Sequence, residues 1–301
     1  MEHLETTTQG CDNVNASRRS VMLAGAAMLV GVGLGSGAVR AATIDEIKKR
    51  GVMNVVTEDD FHPYEFVKDG KPDGFHKDVI NELRAYASFK VQQEVLPWTG
   101  LLAAVTAGKY DAAITGAGVT EERLAAFNYA PPVSADISHY IKRANDNSIK
   151  SIKDLSGKTV GVQAGGAQLA RLSQLDAKLQ TMGGKLGKVV QYQSYPEVYT
   201  DLANGRLDYA VNSVVNASVL VREKSKVFAL GEATTGPGFI AWPVAKGNDQ
   251  VLEFLTAFAK HLRDSGKLKE LQQKWFGMTF PDLPHEPITS VEQLRKLSAV
   301  K

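Results

Sequence analysis

The stretch AGKYDAAIT, Ala107 to Thr115, has an echo in NGRLDYAVN, Asn204 to Asn212. Each ends a helical pattern, turns at a glycine, places a basic residue and then an aspartate, and continues as an apolar strand. Glycine suits the left-handed residue that closes a helix, and the Val, Ile and Ala runs suit strands covered on both faces. The lead-ins match as well. VQQEVLPWTGLLAAV and KVVQYQSYPEVYTDL each read as a short strand, a loop bearing an aromatic residue (Trp98, Tyr195) and a helix. Further upstream, GVMNVVTEDD and GKTVGVQAGG each give Gly, a strand and a polar loop. The chain therefore holds two copies of strand, helix, strand, helix, strand.

Alternating strands and helices imply mainly parallel sheets flanked by helices, an α/β class in which ligands sit outside the carboxyl ends of the strands. In the first copy those ends are Asp59 to Tyr64, Leu96 to Thr99 and Thr115 to Val119. In the second they are Gln163 to Gln168, Ser194 to Pro196 and Asn212 to Val215. Two such lobes facing each other make a cleft. Arg123, in ITGAGVTEER, lies just beyond one of these loops.

Composition narrows the partners. The 301 residues are 44% hydrophobic and 23% charged, ordinary for a globular chain with one or two real cores, and 35 basic residues against 33 acidic give a net charge of +2. No basic block offers a grip to nucleic acid. The six histidines are scattered and Cys11 is the single cysteine, so no zinc cage or Cys/His nucleophile is assembled, and neither metal nor cofactor is expected. At the amino terminus, Arg18 and Arg19 precede a Gly- and Ala-rich apolar run too dilute for a good membrane anchor. This reads as a twin-arginine export signal cleaved near Ala41 or Ala42, which places the mature protein in the periplasm.

Six motifs in order carry a resemblance: DDFHPYEF, GKPDGFHKDVINEL, LPWTGLLAAVTAGKYDAAITGAGVTEERLAAFNYAPP, IKDLSGKTVGVQAGG, YPEVYTDLANGRLDYAVNS and SGKLKELQQKWFG. From about Ile44 to Gly277 the chain resembles the polar amino-acid family of periplasmic solute-binding proteins, the capture subunits of ABC importers. The resemblance implies the two-lobed type II binding fold, a membrane permease as partner and a monomeric chain. It also implies two crossings between lobes, around His139 to Arg143 and around Pro237 to Pro243. The expected organisation is an export signal over 1–41, first lobe 42–141, second lobe 142–238, return helices 239–279 and an extension over 280–301.

The resemblance assigns roles residue by residue. Arg123 matches the arginine that grips the ligand carboxylate with two parallel N–H groups, a geometry lysine lacks. Trp98, with Phe61 or Tyr64, matches aromatics that pack on the ligand, and Thr115, Gly116 and Gly118 line the loop before Arg123. Gly118 stands where a Thr or Ser hydroxyl is usual, and Gly165, Gly166 and Ala167 replace the usual GTT ahead of Gln168. Two hydroxyl donors are thus missing, although the helix entering Gln168 still presents backbone N–H groups to an anion.

Asn212 and Ser213 make the largest departure, because an aspartate that pairs with the ligand's ammonium is usual at position 213. A buried ammonium without a counter-charge costs several kcal/mol. The pattern therefore favours a small carboxylate without an α-amino group. Another acid, Asp59, Asp60, Asp136 or Glu232, could restore the ammonium site and with it a conventional amino-acid ligand. An enzyme of the cyclohexadienyl dehydratase type would need a general acid near Ser213, where Val214, Val215 and Asn216 stand. His76 is read as a solvated residue at a helix start, and Leu252, Leu255, Phe258 and Leu262 as core. The tail ends in a short amphipathic helix from about Ser290, free to pack on the first lobe or to meet a partner.

Overall fold

The computed structural model describes residues 42–299; the expected export signal over 1–41 lies outside the described residues. Helix α1, Ile44–Arg50, starts on a capping box between Thr43 and Glu46 and stops on left-handed Gly51. The strand Val52–Glu58 then takes the centre of a parallel three-stranded sheet, between Lys90–Leu96 and Ala112–Ala113. Helices α2, Phe75–Tyr86, and α3, Leu101–Thr106, connect them.

The second lobe repeats this plan. Val160–Gln163 runs between Val189–Tyr192 and Tyr209–Ser213, all parallel, and the sheet grows to five strands when Ser138–Arg143 and Phe228–Ala233 join antiparallel. Around it lie α4, Ala167–Ala170, α5, Leu172–Thr181, α6, Tyr195–Ala203, and α7, Val214–Glu223. The echo has a shared structural role. Gly108 (φ 70°) and Gly205 (φ 77°) follow α3 and α6 in the left-handed region. The aspartate after each then accepts a backbone N–H at the start of the neighbouring central strand. Asp111 Oδ2 lies 2.7 Å from Asn54 N, and Asp208 Oδ2 lies 2.7 Å from Thr159 N. Asp111 also takes Arg50 Nη2 at 2.6 Å.

Two antiparallel pairs carry the chain between lobes, Phe127–Tyr129 with Pro243–Ala245 and Ser134–Ala135 with Phe239–Ile240. The return strands, Phe239–Ile240 and Pro243–Ala245, overlap the expected Pro237 to Pro243 and run two residues past it. The outward passage comes earlier than the expected His139 to Arg143, because Ser138–Arg143 is already a strand of the second sheet. Alternating apolar residues announce a strand there, but not the sheet it joins.

Helices α8, Asp249–Asp264, and α9, Lys267–Phe276, return to the first lobe, packing on α1 and α2. Leu252, Leu255, Phe258 and Leu262 face the core, as their spacing requires. The extension packs on the first lobe too. Ile288 bridges to Tyr129, and Leu283, Ile288 and Leu294, the last on α10, Val291–Ala299, join the core containing Phe127. Arg295 grips Glu121 with two N–H groups at 2.6 and 2.8 Å.

Asp111→Ala strands a backbone N–H and removes the acid from Arg50, a loss of about 1–3 kcal/mol. Urea denaturation should show a larger loss than for Asp208→Ala, which gives up the backbone contact without an arginine. Equal losses would mean that Arg50 adds nothing.

Candidate functional site

The carboxyl ends of the two central strands meet. Glu58, last residue of Val52–Glu58, accepts a hydrogen bond from Gln163 Nε2 at 2.5 Å, and Gln163 ends the matching strand of the second lobe. Thr99 Oγ1 donates to Gln193 Oε1 at 2.9 Å, and Asn216 Nδ2 donates to His62 O at 2.8 Å. Arg123 spans the same gap. Its Nη1 donates to Gly118 O at 2.7 Å in its own lobe and its Nη2 to Gly165 O at 2.8 Å in the other, with Cζ 4.9 Å from the centre of the Trp98 ring. Stacking on an indole face suits a weakly hydrated guanidinium.

Beside Arg123 stands an ion pair. Arg171, at the junction of α4 and α5, donates through Nη1 to Asp136 Oδ2 at 2.7 Å and Asp136 O at 2.8 Å, and through Nη2 to Val119 O at 2.8 Å. Gln168 Nε2 reaches the other carboxylate oxygen at 3.1 Å. Asp136 and Arg171 are both buried. Burial lowers the pKa of Arg123, the neighbouring Tyr129 hydroxyl opposes this, Arg171 adds repulsion, and Asp136 offsets part of it. Among the described residues no carboxylate forms an ion pair with Arg123, whose two hydrogen bonds go to neutral carbonyls. The cluster thus holds two guanidinium groups and one carboxylate, which pairs with Arg171.

This pair gives the missing hydroxyls a steric reason. A Cβ on Gly118 would lie 2.5 Å from Ala167 Cβ and 2.6 Å from Asp136 Oδ2. The Asp136 carboxylate fits only because position 118 carries no side chain, and the neighbouring position 167 only a methyl. Gly166 precedes α4, which spans four residues, so the dipole available to an anion there is small.

Glu58 is the other buried acid of the cleft. Burial and repulsion from Glu65 push its carboxyl well above the usual range, against the bond from Gln163. Glu65 is itself buried and holds the next loop in place: its Oε1 accepts Thr115 Oγ1 at 2.5 Å and Gly116 N at 2.8 Å. Its Oε2 sits 2.5 Å from His76 Nδ1. His76 is therefore not solvated, contrary to the sequence reading; it is fully buried on the first turn of α2, because Glu65 supplies a polar partner inside the lobe.

The fold sets Trp98 and Gly118 against Arg123, and Gly118 and Gln168 against Asp136 with Ala167 beside them, while Phe61 reaches across to Tyr195 with ring centres 5.8 Å apart. Tyr64 lies behind this surface. It is fully buried, stacks on Phe61 at 5.5 Å and places its hydroxyl 2.5 Å from Ser134 Oγ. Asn212 and Ser213 are engaged within their own lobe: Asn212 Nδ2 donates to Tyr199 Oη at 2.7 Å, and Ser213 Oγ caps α7 and donates to Asn216 Oδ1 at 2.5 Å. Of the acids named as ammonium partners, Asp136 is held by Arg171 and Glu232 by the Ile152 N–H at 3.1 Å. Sequence reasoning missed Glu58 and Arg171. Glu58 stood one residue before the loop counted from Asp59, an acid closing an apolar strand. Arg171, in AQLARLSQLD, carries no mark that separates it from a surface basic residue.

Two α/β lobes joined by paired crossing strands and closing on a charged cleft are the architecture of a periplasmic binding protein. The chain belongs to the bacterial extracellular solute-binding proteins, family 3, whose sequence pattern matches residues 53–278. It is similar to the L-cystine-binding protein TcyJ of Escherichia coli strain K12, 27% identical over 240 residues covering 78% of this chain and 86% of that protein. It is also similar to the arginine-binding extracellular protein ArtP of Bacillus subtilis strain 168, 24% identical over 231 residues covering 76% and 87%. Among solved structures, an ancestral arginine-binding protein bound to glutamine matches with 28% identity and a TM-score of 0.66, over 76% of this chain and 99% of that one. The ancestral amino acid-binding protein AncCDT-1, described as a precursor of cyclohexadienyl dehydratase, matches with 26% identity and a TM-score of 0.69, over 78% and 100%.

Gly118→Ala should fold, since its φ is not in the left-handed region, yet hold the lobes apart, because in this arrangement the new methyl would lie 2.5 Å from Ala167 Cβ of the second lobe. Solution scattering should report a larger radius of gyration than wild type with little change in melting temperature. An unchanged radius would show that this contact does not limit closure.

Proposed function

We propose that this chain is the exported capture subunit of an ABC importer, delivering a small carboxylate without an α-ammonium group to a membrane permease. The relatives are named as binding proteins, several for amino acids, and belong to a family of solute-binding proteins. Export follows from the twin-arginine reading of Arg18 and Arg19, and no helix among the described residues is long and apolar enough to cross a membrane. One observation carries the ligand class. Arg123, stacked on Trp98 between loops of both lobes, has a charge that no described carboxylate pairs, because Asp136 is committed to Arg171. One anionic group brings the cluster to neutrality.

The rest of the cleft favours a ligand without a second charge. Position 213 offers a hydroxyl already used to cap α7, and Glu58 is pushed towards its protonated form. Trp98, stacked on Arg123, supplies an apolar wall. Enzymatic dehydration is disfavoured by Val214, Val215 and Asn216, none of which can donate a proton to a leaving group.

Glu58 carries a second reading. A buried acid without a cationic partner is ionised when a ligand ammonium arrives, and an amino acid would then be held between Arg123 and Glu58. Both readings need Arg123. Calorimetric titration should therefore show Arg123→Ala losing about 2–5 kcal/mol for any true ligand, with Arg123→Lys recovering part of it. Matched pairs, each an α-amino acid and its deaminated analogue, separate the readings. On the organic-acid reading wild type prefers the analogue, Glu58→Gln binds it as well, and Ser213→Asp weakens it. A wild type that prefers the amino acid and loses it on Glu58→Gln belongs to the second reading.

A further inference from the structure

A cavity of about 490 Å³ opens beside the cleft, lined by neither Arg123 nor Trp98. It lies between the first-lobe segment Asp60–His62 and the groove separating α6 from α7, and that size is in the range of small-molecule sites. Four aromatic rings form one wall in succession. Phe61 stands 5.8 Å from Tyr195, Tyr195 5.6 Å from Tyr199, and Tyr199 6.1 Å from Phe228, with Leu220 completing the apolar surface. Asp60 is the half-buried charge on this wall. Its carboxylate makes no hydrogen bond or ion pair among the described residues, whereas Glu223 on the same cavity is 3.2 Å from His62 Nε2. Burial raises Asp60 to about 6, Asp59 and Glu197 add repulsion, and His62 opposes them.

An unpaired carboxylate facing a row of aromatic rings is the chemistry that holds an ammonium on an apolar body. The acid supplies the counter-charge, the ring faces attract the cation, and the apolar remainder leaves water. The lining also carries Lys224, but the carboxylates of Asp60 and Glu223 outnumber it and the ring faces repel an anion. We propose that this cavity is a second binding site, separate from the Arg123 cleft, for a small organic amine with an aromatic or bulky aliphatic body. Because its wall is built from both lobes, an amine bound there favours the closed arrangement and is coupled through closure to whatever Arg123 holds.

The probe is 2-phenylethylamine, titrated calorimetrically into the mature protein, with 3-phenylpropanoate as the analogue of opposite charge. The amine should bind wild type and also Arg123→Ala, where the cleft has lost its anchor; that keeps this site distinct from the carboxylate reading. Asp60→Asn, nearly isosteric, should weaken the amine about tenfold or more, and Leu220→Trp, which fills the cavity, should abolish binding, each with folding checked by circular dichroism. The phenylpropanoate should show no binding that Leu220→Trp removes. Failure of the amine to bind wild type, equal affinity for Asp60→Asn, or loss on Arg123→Ala would each overturn the proposal. If Leu220→Trp does not fold, Asp60→Asn alone decides.

Discussion

One carboxylate, Asp136, lies among two guanidinium groups at the floor of the cleft, and the local structure follows from that arrangement. Arg171 is buried, and an unpaired buried guanidinium is expensive, so the acid must stay with it. Holding Asp136 there requires a bare Gly118 and a small Ala167, and it occupies Gln168 as a donor. Asp136 also lies just beyond the Ser134–Ala135 crossing strand, so the pair ties the passage between lobes to the second-lobe helices. Arg123 is left with carbonyl partners and a charge to share.

Polar contacts of the cleft therefore run between the lobes. Arg123 contacts Gly165, Glu58 contacts Gln163 and Arg171 contacts Val119 across the two lobes. A ligand shifts the balance by the difference between its affinities for the closed and open forms, and groups that bridge the lobes create that difference. The crossing strands are short two-stranded ladders outside either main sheet, a form of connection suited to act as a hinge.

Much of the fold was legible. The echo around Asp111 and Asp208 predicted helix, glycine, aspartate and strand in both lobes, and the local physics enforces each step: a left-handed closing residue, then a carboxylate clamping the next strand's backbone. Arg123 and Trp98 were picked out by the family motifs they match, and the fold sets the Arg123 guanidinium 4.9 Å from the centre of the Trp98 ring. What escaped depends on long-range packing. Arg171 matters through a partner 35 residues away, and His76 is buried by Glu65 across a loop. Tyr64 and Phe61 share one motif, yet only the fold turns one inward and the other towards Tyr195. The outward crossing was displaced because strand periodicity is blind to which sheet a strand joins.

Proton exchange on binding tests the charge balance of the cleft most directly. Calorimetric titration of the natural ligand at neutral pH, repeated in two buffers of different ionisation heat, reads it. A carboxylate without an ammonium neutralises Arg123 and brings no cation to Glu58, so the protonation of Glu58 should not change and the heat should be the same in both buffers. Heats that differ with the buffer in the sense of a proton released, and that become equal in Glu58→Gln, would mean that an ammonium has ionised Glu58, and would contradict the organic-acid ligand.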